Sequence, residues 1–435
     1  MDPLLATGLI VVFAAAILLG TPLFAIIGGG AVVLFALVAD ESMVVPIIEM
    51  WRLANAPGFT AIPLFIFAGY LFAESNASGR LIKFSDALIG WVPGGLAIVT
   101  VVVCTIFTAI TGASGITILA CGGILLPALT SNRYNERFSL GLLTAAGSSG
   151  ILFVPSLPIL IYGVVAGVDI THLFVAGIIP GLIIVCLLAA YGVIYGTRHR
   201  VPVTPFSIRR LLASLWDIKW ILPLPFIVIG GIYSGMITVA EAASVTAVYA
   251  LITECLIYRE ITADKLFRIT VESMIMVSAI LIVLAVALGL TNFMVDMEVP
   301  QRLVAFLEAR IESKIVFLLL LNGFLLIVGC LMDIFSAIII VVPLIAPVAE
   351  TFGIDPIHMA IIFLANLEIG YLTPPVGVNL FIASMRFDIP ILKLYRVVLP
   401  LLLLLVAALL LISYMPDLSL WLIEALGMRK PLLQF

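Results

Sequence analysis

The 435-residue chain is short of charge and of imidazole: 11% of its residues are charged and three are histidine, where soluble globular proteins carry about 25% charged residues. That scarcity excludes a large water-facing domain. The five cysteines, Cys104, Cys121, Cys186, Cys255 and Cys330, stand singly in apolar segments, which argues against a disulfide framework or a zinc site and leaves them as packing residues. No basic run with interleaved aromatics occurs, so nucleic acid is not an expected partner. The formal charge of -4 says little, because in a membrane chain the placement of charge matters more than its sum.

What is abundant is hydrocarbon. Hydrophobic residues make up 63% of the chain, and the mean hydropathy is +1.31. Apolar stretches of roughly 20 residues, enough to span about 30 Å of bilayer, recur from Leu4 to Leu426. Residues 1–435 therefore read as one integral membrane domain in a lipid bilayer. The stretch Leu4 to Leu19 has no basic residue before it and no small-residue cleavage site after it, so it is expected to stay as a helix and not to act as a signal peptide.

The richest basic loop, 198–219, holds Arg198, Arg200, Arg209, Arg210 and Lys219 against Asp217, which places it in the cytoplasm. Counting outward predicts ten crossings at about 4–20, 21–39, 61–73, 139–166, 173–197, 220–233, 236–257, 271–292, 357–385 and 397–414. Segments 96–130 and 315–350, each interrupted by glycine and polar residues, are expected to be re-entrant hairpins. With that topology 15 of the 21 Lys and Arg are cytoplasmic. If either hairpin crossed fully, Arg386, Lys393 and Arg396 or the 198–219 loop would fall outside. Stretches 43–56, 74–90 and 294–314 are amphipathic and expected to lie along the interface.

The chain repeats itself. Asp169 and Asp388 open matching segments (388 − 169 = 219), Pro155 matches Pro374 (374 − 155 = 219), Ser114 matches Asp333 (333 − 114 = 219) and Pro127 matches Pro347 (347 − 127 = 220). Residues of about 60–190 and 280–410 thus form two copies, which the topology puts in opposite orientations, while helices 4–39 and 220–257 are expected as scaffold. Inverted repeats with paired helix interruptions are a transporter pattern. The expected fold is an all-α polytopic membrane protein of two inverted-topology repeats, each with a re-entrant hairpin and a broken helix.

Non-helical backbone survives at membrane depth only where protein or a water-filled cavity satisfies it. The four interruptions are therefore candidate sites: Thr111 to Gly115, Gly147 to Pro158, Gly329 to Asp333 and Gly370 to Asn379. Freed carbonyls and hydroxyls suit a hard monovalent cation, and half-helix N-termini suit an anion. The cation candidates are Thr111, Gly112, Ser114, Gly147, Ser149, Gly150 and Pro155 in the first copy, with Gly329, Asp333, Gly370, Thr373, Pro374 and Gly377 in the second. Those for a small organic anion are Ser114, Ser156, Asp333, Thr373, Pro375 and Asn379. Asp333 stands out as an ionisable group at a hairpin tip, where burial would be costly. Its alternative role is to cap a half-helix. Glu241 and Glu368 also lie in apolar surroundings, Glu241 with a capping role open to it.

Several stretches resemble the large membrane subunit (DctM type) of the tripartite ATP-independent periplasmic, or TRAP, transporters. They include Ala61-Ile62-Pro63-Leu64-Phe65, Thr111 to Gly115, Gly150 to Ser156, Ala176-Gly177-Ile178-Ile179-Pro180-Gly181, Met332-Asp333 and Thr373-Pro374-Pro375-Val376-Gly377. The resemblance runs nearly end to end. It implies an elevator-type ion-transporter fold in the bacterial inner membrane, with Na+ as the coupling ion and no enzymatic activity. It also implies two partners, a small membrane subunit (DctQ type) and a periplasmic substrate-binding protein (DctP type). By the same resemblance one sodium ion sits between the Ser114 tip and the Gly147 to Pro155 break, and another between the Asp333 tip and the Thr373 to Gly377 break.

Two other functions compete. A stand-alone sodium/dicarboxylate symporter of the same ion-transporter group would share every feature except the binding protein. An intramembrane serine protease is suggested by Gly112-Ala113-Ser114-Gly115, but it needs a histidine base, and His172, His199 and His358 are all expected at helix ends or in a loop.

Overall fold

The computed structural model describes residues 21–39, 59–311 and 313–428, with isolated positions between 8 and 19 and between 44 and 51. The expected first crossing, 4–20, and the amphipathic stretch 43–56 lie largely outside the described residues. The described regular elements are all helical.

The first half begins with α1 (Leu23–Leu34), which continues as a π-helical turn at Phe35–Ala39. It continues through α2 (Ala61–Glu74), α3 (Ala77–Ile89), α4 (Gly95–Thr111), α5 (Ser114–Ser131), α6 (Glu136–Ala146), α7 (Leu157–Ala166) and α8 (Ile170–Arg198). Then come α9 (Ile208–Ile218), α10 (Pro223–Tyr233) and α11 (Val239–Leu251), the last ending in a second π stretch at Ile252–Ile257. The second half follows with α12 (Ala263–Asp296), α13 (Val299–Glu308), α14 (Lys314–Leu331), α15 (Ile334–Thr351), α16 (Pro356–Gly370), α17 (Val378–Phe387), α18 (Ile391–Tyr414) and α19 (Asp417–Ala425).

Local chemistry sets these boundaries. Left-handed glycines, Gly94 (φ 77) and Gly112 (φ 68), bracket the apolar run of α4. Asn135, Asp169 and Asp355 cap α6, α8 and α16 by accepting backbone N–H bonds, as short polar side chains do at helix starts. Thr238 and Glu241 cap α11 reciprocally, so Glu241 takes the capping role that the sequence left open.

Both hairpins have their two open ends on one face. Leu96 of α4 and Ala128 of α5 line a single cavity together with Arg210. In the second hairpin the Lys314 ammonium at the start of α14 donates to the Gly353 carbonyl just past α15, at 2.7 Å. With arms of 17 and 18 residues the first hairpin reaches about 26 Å into the membrane at 1.5 Å per residue. By length and composition α5, α14 and α15 would each qualify as full spans. The shared ends show instead that the chain turns back.

The hairpins enter from opposite faces. The C-terminal part of α8 touches the mouth of the first hairpin, where a Cβ on Gly196 would stand 2.5 Å from Gly94 Cα. The end of α18 touches the mouth of the second, through the Tyr414 hydroxyl donating to the Ile315 carbonyl at 3.0 Å. Since the end of α8 and the start of α18 line one cavity, these two helices are antiparallel, and the two copies are inverted.

Packing repeats the same exchange. Helix α5 packs on α17 and α15 on α7; α6 packs on α18 and α16 on α8; α2 packs on α11 and α12 on α1. Swapping the halves leaves these pairs unchanged. Ser148 and Glu368, which are 220 apart, touch each other, the Ser148 hydroxyl donating to the Glu368 carbonyl at 3.4 Å. A residue bonded to its own counterpart lies on the pseudo-twofold axis. The exchange of α1 with α11, whose π turns start 217 apart (252 − 35 = 217), carries the repeat into the N-terminal and linking helices as well.

Ion pairs gather the basic stretches on one face. Arg80 pairs with Glu260, Lys265 with Glu74 at 3.4 Å and Arg210 with Asp86 at 2.6 Å, joining only stretches that the charge count puts in the cytoplasm. One expected crossing differs. The segment 220–233 is α10, 11 residues long, about 16 Å at 1.5 Å per residue, and too short to cross alone. It bends by 65° from α9, a helix inside the expected cytoplasmic loop. There the basic residues signalled sidedness, while Ile208, Leu211, Leu212, Leu215 and Trp216 between them form the apolar face of a helix. The expected crossings 139–166 and 357–385 are each two helices joined by a break.

Close glycine contact holds the second hairpin to α16: a Cβ on Gly370 would lie 2.7 Å from Gly329 Cα. Gly370→Ala is expected to cost about 1–3 kcal/mol through overpacking. Gly323→Ala, on the same hairpin arm with nothing within 4 Å, should leave stability unchanged. Thermal unfolding of the two variants in detergent checks the contrast.

Candidate ion and substrate site

The hairpin tips and the helix breaks meet at the centre. At the first tip, Gly112 is left-handed, and a Cβ there would lie 2.5 Å from Leu157 Cδ1, at the first residue of α7. A Cβ on Gly115, at the start of α5, would lie 2.5 Å from Ile382 Cδ1 of α17. The first tip is thus wedged between the second halves of both broken helices. At the second tip the Gly377 N–H donates to the Cys330 carbonyl at 3.1 Å, and the Ile334 N–H donates to the Tyr371 hydroxyl at 2.6 Å. With α15 packed on α7, the N-termini of α5, α7, α15 and α17 gather in one region. Helix N-termini carry unpaired N–H groups and about half a unit of positive charge each, so this region attracts an anion without any basic side chain.

Neutral oxygens surround it. In the first half the Thr108 hydroxyl lies 2.7 Å from the Gly147 carbonyl and 2.7 Å from the Thr117 hydroxyl. The Thr105 and Ser149 hydroxyls are 2.7 Å apart, and a Cβ on Gly150 would lie 2.2 Å from the Thr105 carbonyl. In the second half a buried amide pair joins the hairpin to its broken helix, with the Asn366 amide donating to Asn322 Oδ1 at 2.7 Å.

The expected residues fare unequally. Ser114, Gly147, Ser149, Gly150, Pro155 and Ser156 are buried together. Thr111 is buried with its hydroxyl donating to the Phe107 carbonyl at 2.9 Å, and Gly329 packs on Gly370. Thr373 is half-buried and donates to the Ile369 carbonyl, while Pro374 and Pro375, joined by a cis peptide as are Val154 and Pro155, are exposed. Asp333 is exposed and caps α15: its Oδ1 accepts from the Phe335 and Ser336 N–H groups at 3.0 Å, and its Oδ2 accepts from the Ser336 hydroxyl. Its capping role is realised, and the expectation of a buried charge at the tip is corrected. The acid buried at this depth is Glu368, 1% exposed.

Three groups carry the ligand argument. Ser156 Oγ and both side-chain atoms of Asn379 are buried without a hydrogen-bond partner. Buried polar groups are normally paired, and leaving one unpaired costs about 1–3 kcal/mol. Asn322 Nδ2, Asn366 Oδ1 and one Glu368 oxygen are unpaired as well; Ser156 and Asn379 differ from them in standing at the N-termini of α7 and α17. Thr105, Thr108, Thr117 and Tyr371 were not among the candidates. The threonines left a signal, since Thr105, Thr108 and Thr111 recur every three residues on one face of α4; Tyr371 left none, because its role depends on the second tip folding over it. His358 is occupied elsewhere, with ring nitrogens 3.1 Å from Ser419 Oγ and 3.2 Å from the Ser413 carbonyl, and so is no base for Ser114.

The sequence profile of the tripartite ATP-independent periplasmic transporter, DctM component, matches residues 10–418. The chain belongs to the DctM family. It is a multi-pass protein of the bacterial inner membrane. This DctM chain is 36% identical over 408 residues to the isethionate TRAP transporter permease protein DctMQ of Oleidesulfovibrio alaskensis, covering 93% of this chain and 64% of that longer protein. It is 34% identical over 382 residues to the C4-dicarboxylate TRAP transporter large permease protein DctM of Pseudomonas aeruginosa, covering 88% and 90% of the two chains. Its fold is similar to the crystal structure of the Alcanivorax borkumensis YdaH transporter, with a TM-score of 0.59 at 15% identity over 87% of this chain and 88% of that one.

Two substitutions separate structural from ligand-facing roles. Thr108→Val leaves the Gly147 carbonyl and the Thr117 hydroxyl without their bond and is expected to lower stability by about 1–3 kcal/mol. Asn379→Leu removes two unpaired buried atoms and is expected to leave thermal stability equal or higher while abolishing uptake. Thermal unfolding and transport assays on both variants check this.

Proposed function

We propose that this DctM chain is the permease of a tripartite, sodium-coupled carrier that takes up a small organic anion. The observation that carries the reading is the gathering of four half-helix N-termini around the unpaired Ser156 hydroxyl and Asn379 amide. The anion is held by these N-termini, Ser156 and Asn379, with no Lys or Arg in the four clusters. The relatives named for isethionate and for C4-dicarboxylates favour a small sulfonate or carboxylate.

Two sodium ions are proposed, one at each tip-and-break pair. The first lies by the Ser114 tip, where Thr105, Thr108, Ser149 and the Gly147 carbonyl present neutral oxygens. The second lies by the Asp333 tip, between the Gly329 end of α14 and the Gly370 to Gly377 break. Oxygens of this kind replace the hydration shell of a monovalent cation. The first tip and break are buried, whereas Asp333, Pro374 and Pro375 are exposed, and the Tyr395 hydroxyl near the cytoplasmic end of α18 donates to the Pro375 carbonyl. This asymmetry favours an arrangement open to the cytoplasm, the inward end of an elevator-like movement. A DctP-type binding protein delivers the substrate, and a DctQ-type small membrane subunit completes the scaffold.

Labelled succinate and isethionate uptake into proteoliposomes holding this chain and a small subunit tests the proposal. Uptake is expected only with both an inward sodium gradient and the binding protein. Sodium-driven uptake without the binding protein would favour the stand-alone symporter, and uptake indifferent to sodium would remove the coupling.

A further inference from the structure

The cytoplasmic end of the molecule holds a cavity with no part in the transport site. It measures about 680 Å³ and lies between the start of α6, the end of α8 and the start of α18. Arg137, Lys393 and Arg396 line it, with His199 beside them, and no acidic side chain does. Elsewhere on this face several cations are paired, Arg80 with Glu260, Arg210 with Asp86, and Lys265 and Arg268 with Glu74. Among the described residues Arg137, Lys393 and Arg396 form no such pair.

The back wall is aromatic. Phe138 and Tyr195 stack at 3.7 Å between centroids, and Tyr195 stacks on His199 at 4.0 Å. Tyr134 stacks behind Phe138 at 5.7 Å, and burial pushes its phenol up to about 12, so it stays neutral at physiological pH. Below the cavity, Leu392, Leu399 and Leu403 of α18 are 70%, 50% and 63% exposed. Their spacing puts Arg396 on the same stripe. A cation is thus set among leucines on the lipid-facing side of a spanning helix, about one turn from its end.

We propose that this cavity seats the phosphodiester headgroup of an anionic phospholipid from the cytoplasmic leaflet. Arg137, Lys393 and Arg396 surround the phosphate, the stacked rings back the glycerol, and an acyl chain follows Leu392, Leu399 and Leu403. Basic pockets between spanning helices on the cytoplasmic side have the chemistry for such headgroups. The transported anion is excluded by depth, since the first break starts 12 residues along from Asn135 (147 − 135 = 12), about 18 Å further into the membrane. Because Arg137 belongs to α6 and Arg396 to α18, the headgroup bridges the two inverted halves.

Native mass spectrometry of the detergent-purified full chain tests the site, with phosphatidylglycerol, phosphatidylcholine and inorganic phosphate as probes. Wild type is expected to retain phosphatidylglycerol over phosphatidylcholine. Lys393→Gln/Arg396→Gln should weaken that binding about fivefold per charge removed, roughly 25-fold in all, and Arg396→Lys should retain it. An equal loss in the control Arg209→Gln/Arg259→Gln, which removes two exposed charges outside the cavity, would reduce the effect to general attraction and overturn the site. Equal retention of phosphatidylcholine would overturn the headgroup role, and displacement by millimolar phosphate would show a free-anion site in place of a lipid one.

Discussion

Backbone N–H and C=O groups cannot stay unpaired against hydrocarbon, and the breaks 147–156 and 371–377 place such groups at mid-membrane. Each break exists because a hairpin tip reaches it: Thr108 meets the Gly147 carbonyl, and Tyr371 meets the Ile334 N–H. The tips in turn need the breaks, since neither could end at depth without partners. The hairpins, the broken helices and the pseudo-twofold exchange of α5 with α15 on α17 and α7 all follow from this mutual satisfaction. Small residues make it sterically possible. Gly150 against Thr105 and Gly370 against Gly329 let backbones touch, the usual route to tight association where lipid offers no hydrophobic drive between helices.

The same requirement leaves a functional residue of unpaired atoms. Protein groups satisfy most of the four interruptions, yet Ser156 and Asn379 remain without partners, on the second half of each broken helix or just before it. A ligand that binds and leaves must find groups the protein itself does not occupy. Polar contacts that hold the frame, such as Thr105 with Ser149 and Asn366 with Asn322, and polar atoms kept open therefore stand a few residues apart on the same elements.

Charge is handled differently at the two levels of the molecule. At the site the positive potential comes from helix ends, which cost no desolvation of an ionised side chain. At the cytoplasmic face the ionised side chains gather, some paired across the α2–α3 and α11–α12 junctions and some left open around the α6–α8–α18 cavity. This division keeps full positive charges near water and headgroups, where their hydration is retained.

Much of the architecture was legible from one chain. Composition placed it in the bilayer, the basic residues grouped the stretches that share one face, and the 219-residue offset revealed two copies and located all four interruptions, because periodic apolar runs and helix breakers act locally and leave their mark in order along the chain. The loop at 198–219 shows the limit of that reading, since its basic residues hid the amphipathic helix α9. What only the tertiary structure decided is which groups remain unpaired. Asp333 looked like a buried ion ligand and is an exposed cap, while Tyr371, Thr105 and Thr108 were not singled out and hold the breaks. That outcome depends on which surfaces the other half covers, and contacts between residues 220 apart, such as Ser148 with Glu368, are set by packing that no local pattern encodes.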